Sequence, residues 1–333
     1  MDIDIVIPWV DGSDILWQEE KRKYSSDVIS DANNINRFRD WNLMRYWFRS
    51  IEKYIPWVHM IHFVTWGHLP EFLNTEHPKL HIVRHEEYIP ERWLPTFSSH
   101  AIEMNIHRIP GLADHFIYFN DDTFICKPMK KEDFFKQGLP CIQFTEIPLG
   151  FVGHLEAWQF AAANDLGVIN KWFSKNAAER KHPGKYINYK YSWYDNLRSI
   201  LLLMLFPNFF SGFKNYHSPV PYRKEVFQEL WEKEPALLEK TCSHRFRNKE
   251  DVNQWVAHWW QLASGKFTPK RLDAPTYGIT SKTIETICKD IREQRHEMIS
   301  INDSANEAEF DLLQKQLEEA FKMLLPEKSS FEC

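Results

Sequence analysis

Residues 115–126, HFIYFNDDTFIC, decide the predicted fold. Phe116 to Phe119 is an apolar and aromatic run of the kind that forms a buried strand. The run stops at Asn120, Asp121 and Asp122, and ligands in open α/β sheets bind at such strand ends. Two adjacent carboxylates repel each other, and a divalent cation such as Mg²⁺ or Mn²⁺ would relieve that repulsion. We therefore expect a metal site at Asp121 and Asp122, with a polar turn as the plain alternative.

The chain before this stretch alternates between strand and helix signals. Strands are predicted at 3–10, 60–66 and 80–84, and helices at 16–24, 42–54 and 101–107. This alternation is typical of an α/β fold with a mainly parallel sheet flanked by helices. The first strand leads into the acidic turn Asp11 to Asp14, as in nucleotide-binding domains. It lacks the Gly-rich dinucleotide fingerprint and the P-loop, so a nucleotide would be held by other means.

The remaining segments suggest a helical insertion and a return to the core. Residues 130–195 are rich in aromatic, Lys and Asn residues, which favours helices and loops over a central strand. We therefore divide the chain into the N-terminal part of the catalytic core (1–139), a mostly helical insertion or lid (140–212), the C-terminal part of the core (213–304), and a C-terminal helix and tail (305–333). The terminal helix has one apolar face, formed by Phe310, Leu313, Leu317, Phe321 and Leu324. It is expected to pack on the core, because its acidic polar face would be repelled by an anionic membrane.

Composition sets further limits on function. The chain has 333 residues, a net charge of -5 and a pI of about 6.3, so bulk charge does not suggest a nucleic-acid partner. Its five cysteines are scattered without metal-ligand spacing, which favours free thiols in a reducing compartment. The N-terminus has no signal-peptide pattern, and the longest apolar run, Ile200 to Phe206, is too short to span a bilayer. We expect a cytoplasmic protein, with at most peripheral association at the inner face of the membrane.

Several short motifs together resemble one family. They occur in the order 4–12, 37–40, 99–103, 117–122, 217–219 and 245–247. In this order and spacing the chain resembles the Stealth family of sugar-1-phosphate transferases. That family includes bacterial capsule and surface-polysaccharide enzymes and the N-acetylglucosamine-1-phosphotransferase of animals. The match is less clear over 140–195.

The resemblance implies a fold and an activity. The fold would be a nucleotide-sugar-transferase-like core, GT-A-like or Rossmann-like. The activity would be transfer of hexose-1-phosphate or N-acetylhexosamine-1-phosphate from a UDP-sugar to a hydroxyl of a glycan acceptor, lipid-linked or free. The reaction would form a phosphodiester in capsule or surface-polysaccharide synthesis and release UMP. Attack falls on the β-phosphorus, so the sugar keeps its anomeric configuration.

The resemblance also implies roles for particular residues. Asp122, with Asp121, would hold the metal, and Glu103 would face the sugar hydroxyls. His217 would be a base or a phosphate ligand, because its intrinsic pKa is close to neutral. Arg247 is the first choice to neutralise the diphosphate, because a guanidinium forks onto phosphate oxygens.

Other residues have two open explanations each. Arg245 is the second choice for the diphosphate. Asp11 would contact uridine, ribose or metal, or cap the next helix. Arg37 and Arg39 would reach the phosphates, or would only pair with Asp40 and neighbouring acids. His100 would contact the donor or acceptor, or cap its turn.

Two rival functions fit parts of the same pattern. A metal-dependent glycosyltransferase would move the sugar alone and release UDP, and Asn120-x-Asp122 is similar to the acidic metal motif of that class. A carbohydrate-binding module would bind glycan without metal dependence or nucleotide turnover. The nucleotide-style opening strand and the Asp pair argue against this module.

Overall fold

The computed structural model describes residues 1–25, 39–151 and 153–333, and it has a mixed α/β architecture. The strands in these ranges are β1 (Asp4–Pro8), β2 (Ile61–Thr65), β3 (Leu80–Arg84), β4 (His115–Tyr118), β5 (Thr123–Ile125), β6 (Phe135–Lys136), β7 (Leu139–Ile142), β8 (Val220–Arg223), β9 (Thr268–Pro269), β10 (Thr276–Ile279) and β11 (Met298–Asp303). The α-helices are α1 (Ile15–Tyr24), α2 (Met44–Tyr54), α3 (His85–Tyr88), α4 (Ser99–Met104), α5 (Lys131–Phe134), α6 (Ala157–Trp172), α7 (Lys175–Lys181), α8 (Pro183–Tyr186), α9 (Trp193–Leu205), α10 (Lys224–Lys233), α11 (Pro235–Ser243), α12 (Gln254–Ala263), α13 (Ile284–Arg292) and α14 (Phe310–Leu324).

The largest sheet has five strands in the spatial order β3-β2-β1-β4-β8. The first four of these strands run parallel, as the sequence predicts. Strand β8 pairs antiparallel with β4 and was not predicted. It contains Pro221, and proline in a short apolar run argues against a strand in sequence reasoning. Proline is tolerated here because β8 lies at the edge of the sheet.

The strand order creates a switch point between β1 and β4. After β1, the chain adds β2 and β3 on one side, and β4 then joins the other side of β1. Connections that diverge in this way leave a crevice at the carboxyl ends of the two central strands. Trp9 and Val10 follow β1 and the acidic pair follows β4, and both segments line this crevice, whereas Asp11 itself does not.

Alternating side chains of the central strands feed two separate hydrophobic cores. Ile5 and Ile7 of β1 pack into one core, whereas Val6 packs into the other. In β4, Ile117 belongs to the first core and Phe116 to the second. Helices α2, α13 and α14 supply the first core, and α10 and α12 supply the second. Burial on both faces explains why these strands have continuous apolar runs.

The acidic pair lies in a turn that joins two sheets. A second sheet has the order β10-β11-β5, and β5 pairs antiparallel with β11. Only residues 119–122 separate β4 in the main sheet from β5 in this one. The backbone N–H of Ile301 donates to the Asp122 carbonyl at 2.9 Å, and Thr123 N–H donates to the Asn120 carbonyl at 3.2 Å. Both sheets therefore hold the turn in place.

Helices α6 to α9 lie within the predicted insertion. Helix α6 packs against α12 of the C-terminal part of the core. A third, small sheet has the order β6-β7-β9, so strand β7 spans the predicted boundary at 139/140 and pairs with a distant segment. No helix in the described ranges is long and apolar enough to cross a bilayer. All five cysteines are unpaired.

The predicted packing of the terminal helix on the core is confirmed. Leu313, Leu317, Phe321 and Leu324 are buried in the first hydrophobic core. Phe310, at the start of α14, is only half-buried and packs edge-on against Trp41, with ring centroids 4.7 Å apart. Helix α14 also packs against α13.

Replacing Phe321 by Ala is expected to destabilise the fold by about 3–5 kcal/mol, because it leaves a cavity in the core. The Phe321 ring lies 4.6 Å from Phe124 of β5 and 5.9 Å from Tyr46 of α2. The free energy of unfolding in urea measures the effect. Met323→Ala is the control on the exposed face of the same helix, and its effect should stay within about 0.5 kcal/mol. Equal effects would contradict this packing.

Candidate active site

A cavity of about 950 Å³ opens at the switch point, between the ends of β1, β4 and β11. We call it the acidic cleft. Its lining includes Trp9, Arg39, Asp40, Asp121, Asp122, Trp158, Asn215, His217, Arg247, Trp255 and Asp303. The fold thus gathers charged side chains from several distant parts of the chain around one cavity.

Asp121 is the most perturbed carboxyl in this cleft. Its side chain reaches solvent, but the surrounding cleft walls displace much of the water around it. This desolvation raises the pKa of Asp121 to about 7, and the nearby charges of Asp122 and Asp40 contribute to the same shift. A cation or another positive group beside Asp121 would favour its ionised form. Such perturbed acids in clefts are candidates for functional sites.

His217 pairs with Asp122 across the cleft. Its Nε2 lies 2.8 Å from Oδ2 and 3.0 Å from Oδ1 of Asp122, and its Nδ1 lies 3.5 Å from the amide nitrogen of Asn120. Ser300 of β11 donates a hydrogen bond to the His217 carbonyl and so holds the backbone. Burial by itself lowers the pKa of His217, but the charge and hydrogen bond of Asp122 outweigh burial and raise it. An imidazole oriented by a carboxylate is a common arrangement for a general base.

Arg247 lies between the acidic cleft and a second cavity. Its side chain lines both, and its Nη2 donates to the Ser99 hydroxyl at 2.8 Å. Two loops are joined here, since Phe97 N–H donates to the Arg245 carbonyl at 2.8 Å and the Phe97 and Phe246 rings stack 5.4 Å apart. These contacts direct the guanidinium toward both cavities.

The second cavity, of about 200 Å³, is largely aromatic, and we call it the aromatic cavity. Its rings come from Trp9, Trp17, Trp66, Phe97 and Phe246. Glu103 lines it and is buried; its carboxylate accepts hydrogen bonds from the Tyr118 hydroxyl at 3.3 Å and from Gln254 N–H at 3.1 Å. His85 also lines it, and burial lowers the pKa of His85 to about 4. The cavity thus offers flat apolar walls with a few polar groups.

His100 and Arg245 lie away from both cavities. The His100 ring is buried, and its Nδ1 lies 3.1 Å from Asp251, which also contacts His244 at 2.6 Å. No side chain forms a capping hydrogen bond at the start of α4, so His100 does not cap its turn. The Arg245 guanidinium lies over the Tyr24 ring, 4.7 Å from its centroid. Both residues support the loops around Arg247 in this arrangement.

Asp11 and Arg39 make contacts that bear on the alternatives left open by the sequence. Asp11 accepts from the backbone and hydroxyl of Ser13, whereas Asp14 caps α1 by accepting from Trp17 N–H at 2.7 Å. Arg39 forks onto Asp303 with two bonds of 2.8 Å. Arg39 therefore pairs with an acid other than Asp40. Arg37 lies outside the described residues.

The residues at the turn suit a divalent cation that has other ligands as well. Asp121 and Asp122 offer carboxylate oxygens, and Asp40 and Asp11 add negative charge. In the described ranges, no three His, Cys, Asp or Glu side chains form a group that could hold a metal by themselves. Mg²⁺ commonly binds one or two carboxylates and completes its coordination with water and substrate phosphates. The donor set therefore fits Mg²⁺ together with a phosphate-bearing ligand.

Sequence reasoning missed some of the cleft-lining residues. Asp303 ends strand β11, so the strand-end rule that pointed to Asp122 could have pointed to it as well. Trp158 and Asn215 come from the insertion and the segment after it, and no local pattern marks them as cleft residues.

The structure defines an α/β protein with an acidic cleft at the switch point of its main sheet. Three Stealth regions match the chain: Stealth protein CR1, conserved region 1, at residues 1–28, CR2, conserved region 2, at 37–141, and CR3, conserved region 3, at 216–260. These regions contain every predicted site residue. The chain belongs to the Stealth family.

Curated relatives match along the whole chain. A capsular polysaccharide phosphotransferase, WcwK, of Streptococcus pneumoniae is 39% identical and covers 99% of this chain and 98% of its own length. The exopolysaccharide phosphotransferase cps2G of Lactiplantibacillus plantarum is 39% identical, covering 99% and 96%. The receptor polysaccharide phosphotransferase WefC of Streptococcus oralis is 36% identical, covering 99% of each.

A solved structure, the apo-form glycosyltransferase GlyE of Streptococcus pneumoniae TIGR4, aligns with 95% of this chain and 79% of its own. Its TM-score is 0.25 and its identity 10%, so this likeness carries no conclusion about the fold.

Proposed function

We propose that this protein transfers hexose-1-phosphate or N-acetylhexosamine-1-phosphate from a UDP-sugar to a hydroxyl of a glycan acceptor. The products are a phosphodiester and UMP, and the reaction belongs to capsule or cell-surface polysaccharide synthesis. The observation that carries the proposal is the full-length similarity to polysaccharide phosphotransferases. A cleft with an acid pair, a His–Asp pair and an arginine supports it, because phosphoryl transfer relies on charge neutralisation and positioning.

The two cavities suggest which part of the UDP-sugar binds in each. The aromatic cavity takes the uracil base, since flat rings stack on aromatic side chains. Arg247 lies where the cavities meet and therefore binds the diphosphate. The sugar and the acceptor lie in the acidic cleft, where Trp158 and Trp255 offer apolar surfaces for sugar rings. Glu103 lines the aromatic cavity, and its carboxylate accepts a hydrogen bond from a hydroxyl of the UDP-sugar.

The chain's own residues supply the proton transfer. Nε2 of His217 faces Asp122, so Nδ1 takes the proton of the acceptor hydroxyl once that hydroxyl replaces the Asn120 amide, which lies 3.5 Å from Nδ1. The hydroxyl oxygen bonds to the β-phosphorus, and the bond from that phosphorus to the bridging oxygen breaks. UMP leaves with that oxygen and its electron pair, and Arg247 stabilises the charge. Mg²⁺ held by Asp121 and Asp122 would neutralise diphosphate charge.

Product analysis tests this function. The protein is incubated with a panel of UDP-sugars, Mg²⁺ and a glycan acceptor, and the released nucleotide is identified. UMP together with a phosphodiester-linked product is expected. Release of UDP would instead show a glycosyltransferase, and glycan binding without nucleotide release would show a binding module.

Removal of divalent cations is expected to abolish transfer, because the cation would neutralise charge of Asp121, Asp122 and the diphosphate beyond what His217 and Arg247 supply. Turnover should be lost in chelator and return on addition of Mg²⁺ or Mn²⁺. Chelator saturated beforehand with Mg²⁺ is the control, and Mn²⁺ binding measured by calorimetry gives a readout that does not depend on turnover. Full activity in free chelator would contradict the metal assignment.

Replacing Arg247 by Ala is expected to weaken donor binding and to slow the reaction, together lowering kcat/KM by about 10²-fold or more. Diphosphate charge is present in the bound donor and grows on departing UMP, so both steps should suffer. Lys at this position should rescue only partly, because a point charge cannot reproduce the guanidinium fork.

Arg245→Ala is the matched control for Arg247, since that side chain lies over Tyr24 and lines neither cavity. Its effect on donor affinity should be much smaller. An equal or larger loss in Arg245→Ala would transfer the diphosphate role to Arg245.

A further inference from the structure

Helix α9 turns its polar side chains inward and most of its apolar side chains outward. Arg198 bonds to Asp195 and to the Glu146 carbonyl at 2.9 Å, and Asn196 bonds to the Asn188 carbonyl at 2.9 Å. Only Ser199 and Leu202 of this helix are buried. A surface helix of a soluble protein normally has the opposite arrangement.

The outward side chains form one continuous stripe. We call it the α9 apolar face, and it consists of Trp193, Leu197, Ile200, Leu201, Met204 and Leu205. These positions follow the helical spacing i, i+4, i+7, i+8, i+11 and i+12, so they lie side by side. Trp193 is 78% exposed and Met204 is 74% exposed. Contiguous apolar surfaces of this kind mark sites of interaction with proteins or membranes.

The segment around this face is basic in an otherwise acidic protein. Residues 171–214 contain eight Lys or Arg and two Asp or Glu, whereas the whole chain has 41 Lys and Arg against 46 Asp and Glu. Arg180, Lys181 and Lys214 are exposed. Lys214 lies over Tyr216, 4.5 Å from the ring centroid, and Tyr216 is within electrostatic reach of Asp195 and Arg198 of α9. At least one exposed cation therefore lies close to the helix.

We propose that the α9 apolar face docks on the surface of an anionic lipid bilayer. The helix has 13 residues and is about 20 Å long, so it would lie in the membrane plane rather than cross it. Exposed Trp193 and Tyr194 supply the aromatic rings that favour the interface between lipid and water. The basic segment supplies attraction to anionic headgroups, whereas in a symmetric dimer through this face the two basic segments would lie opposite and repel each other.

Docking at this face would hold the acidic cleft near the membrane. The segments on either side of α9 contribute Trp158 and Asn215 to the cleft wall. Tyr216, which is near α9, precedes His217 directly in the chain. A lipid-linked acceptor would then meet the cleft from the bilayer; this last step rests on the proposed function, whereas bilayer docking does not.

Sedimentation with vesicles tests the docking, without donor or metal. The full chain is mixed with vesicles of phosphatidylglycerol and phosphatidylcholine, or of phosphatidylcholine alone. We expect binding to the anionic vesicles, with affinity that falls as salt rises. The double variant Leu201→Glu/Met204→Glu should bind about tenfold more weakly or worse, because two apolar contacts are replaced by charges that the lipid repels.

A second double variant controls for charge and for exposed apolar area. Leu312→Glu/Met323→Glu makes the same exchanges on α14, where these residues are 63% and 68% exposed. It should bind vesicles within about twofold of the wild type, since the added charge is the same but lies on another helix. Thermal unfolding of both variants should match the wild type, because all four positions are exposed.

Three outcomes would overturn the proposal. The first is a wild type that does not bind anionic vesicles, and the second is an equal loss of binding in the two double variants. In the third, the wild type does not bind vesicles, and light scattering finds a dimer that Leu201→Glu/Met204→Glu converts to monomers. The α9 apolar face would then be a contact between two copies of the chain. UMP release with a water-soluble acceptor should be unchanged in both variants. A failure of the transferase proposal would therefore appear in that assay and not in the vesicle assay.

Discussion

Asp122→Asn is expected to lower the turnover of UMP-releasing transfer by about 10³-fold or more, as removal of a carboxylate that serves a catalytic histidine does elsewhere. The amide carries no charge, so it would neither stabilise a protonated His217 at 2.8 Å nor attract a cation. Its NH₂ group would also donate toward Nε2 and favour the wrong tautomer of the ring. Turnover at saturating donor measures the effect.

The fold should survive this substitution, because Asp122 is not buried in either hydrophobic core and Asn has nearly the same volume. Asp114→Asn is the matched control, since Asp114 is an exposed carboxylate just before the other end of β4. It should leave turnover unchanged. Normal turnover in Asp122→Asn would show that the central assignment is wrong.

Calorimetry with Mn²⁺ would separate the two tasks proposed for Asp122. If Asp122→Asn loses metal affinity along with turnover, the carboxylate is a ligand. If it keeps metal affinity and loses turnover, the carboxylate acts through His217, and Asp121 is the main protein ligand.

His217→Ala is expected to reduce the saturated rate by about 10²-fold or more, as for the loss of a general base, with a smaller effect on UDP-sugar affinity. His217 faces the acid pair rather than Arg247, so its loss should affect the acceptor proton more than the bound diphosphate. Donor affinity by calorimetry and turnover at saturating donor separate these effects. The contrast with Arg247→Ala, which should weaken donor binding as well, provides the comparison.

The double variant Asp122→Asn/His217→Ala provides an internal check on the pair. Residues that act as one unit are strongly non-additive, so the double variant should be little worse than the more damaging single variant. A loss of donor binding with an intact saturated rate in His217→Ala would make His217 a phosphate ligand instead of a base. Fully additive losses would mean that the 2.8 Å contact has no catalytic purpose.

Local patterns predicted many of the regular elements. Strand β3 was predicted at 80–84 and is Leu80–Arg84, and α2 was predicted at 42–54 and is Met44–Tyr54. These predictions succeed because a strand or helix needs only its own apolar spacing to be recognised. Strand β8 failed that test, since Pro221 is permitted only by an edge position that depends on the order of the sheet.

The same contrast between local patterns and distant contacts applies to the candidate active site. The Asp pair could be predicted because a strand end and two adjacent acids are visible in a dozen residues. Its partner His217 lies 95 positions further along the chain, and family resemblance suggested a role for it but not its contact with Asp122. His100 lies within a matched motif, yet its ring turns to buried Asp251, 151 positions away. Motif membership identifies a neighbourhood, whereas packing decides which side chain reaches the cavity.

The sequence by itself determined the α/β class, the acid pair at a strand end, the packed face of α14 and membership of the Stealth family. Tertiary structure alone decided that Asp122 meets His217, that Arg39 forks onto Asp303 and that α9 turns its apolar face outward. The physical reason is the range of the interactions. Apolar periodicity and capping act over a few residues, so the local sequence contains them. Contacts between distant residues depend on strand order and on what covers each surface, which only the folded chain settles.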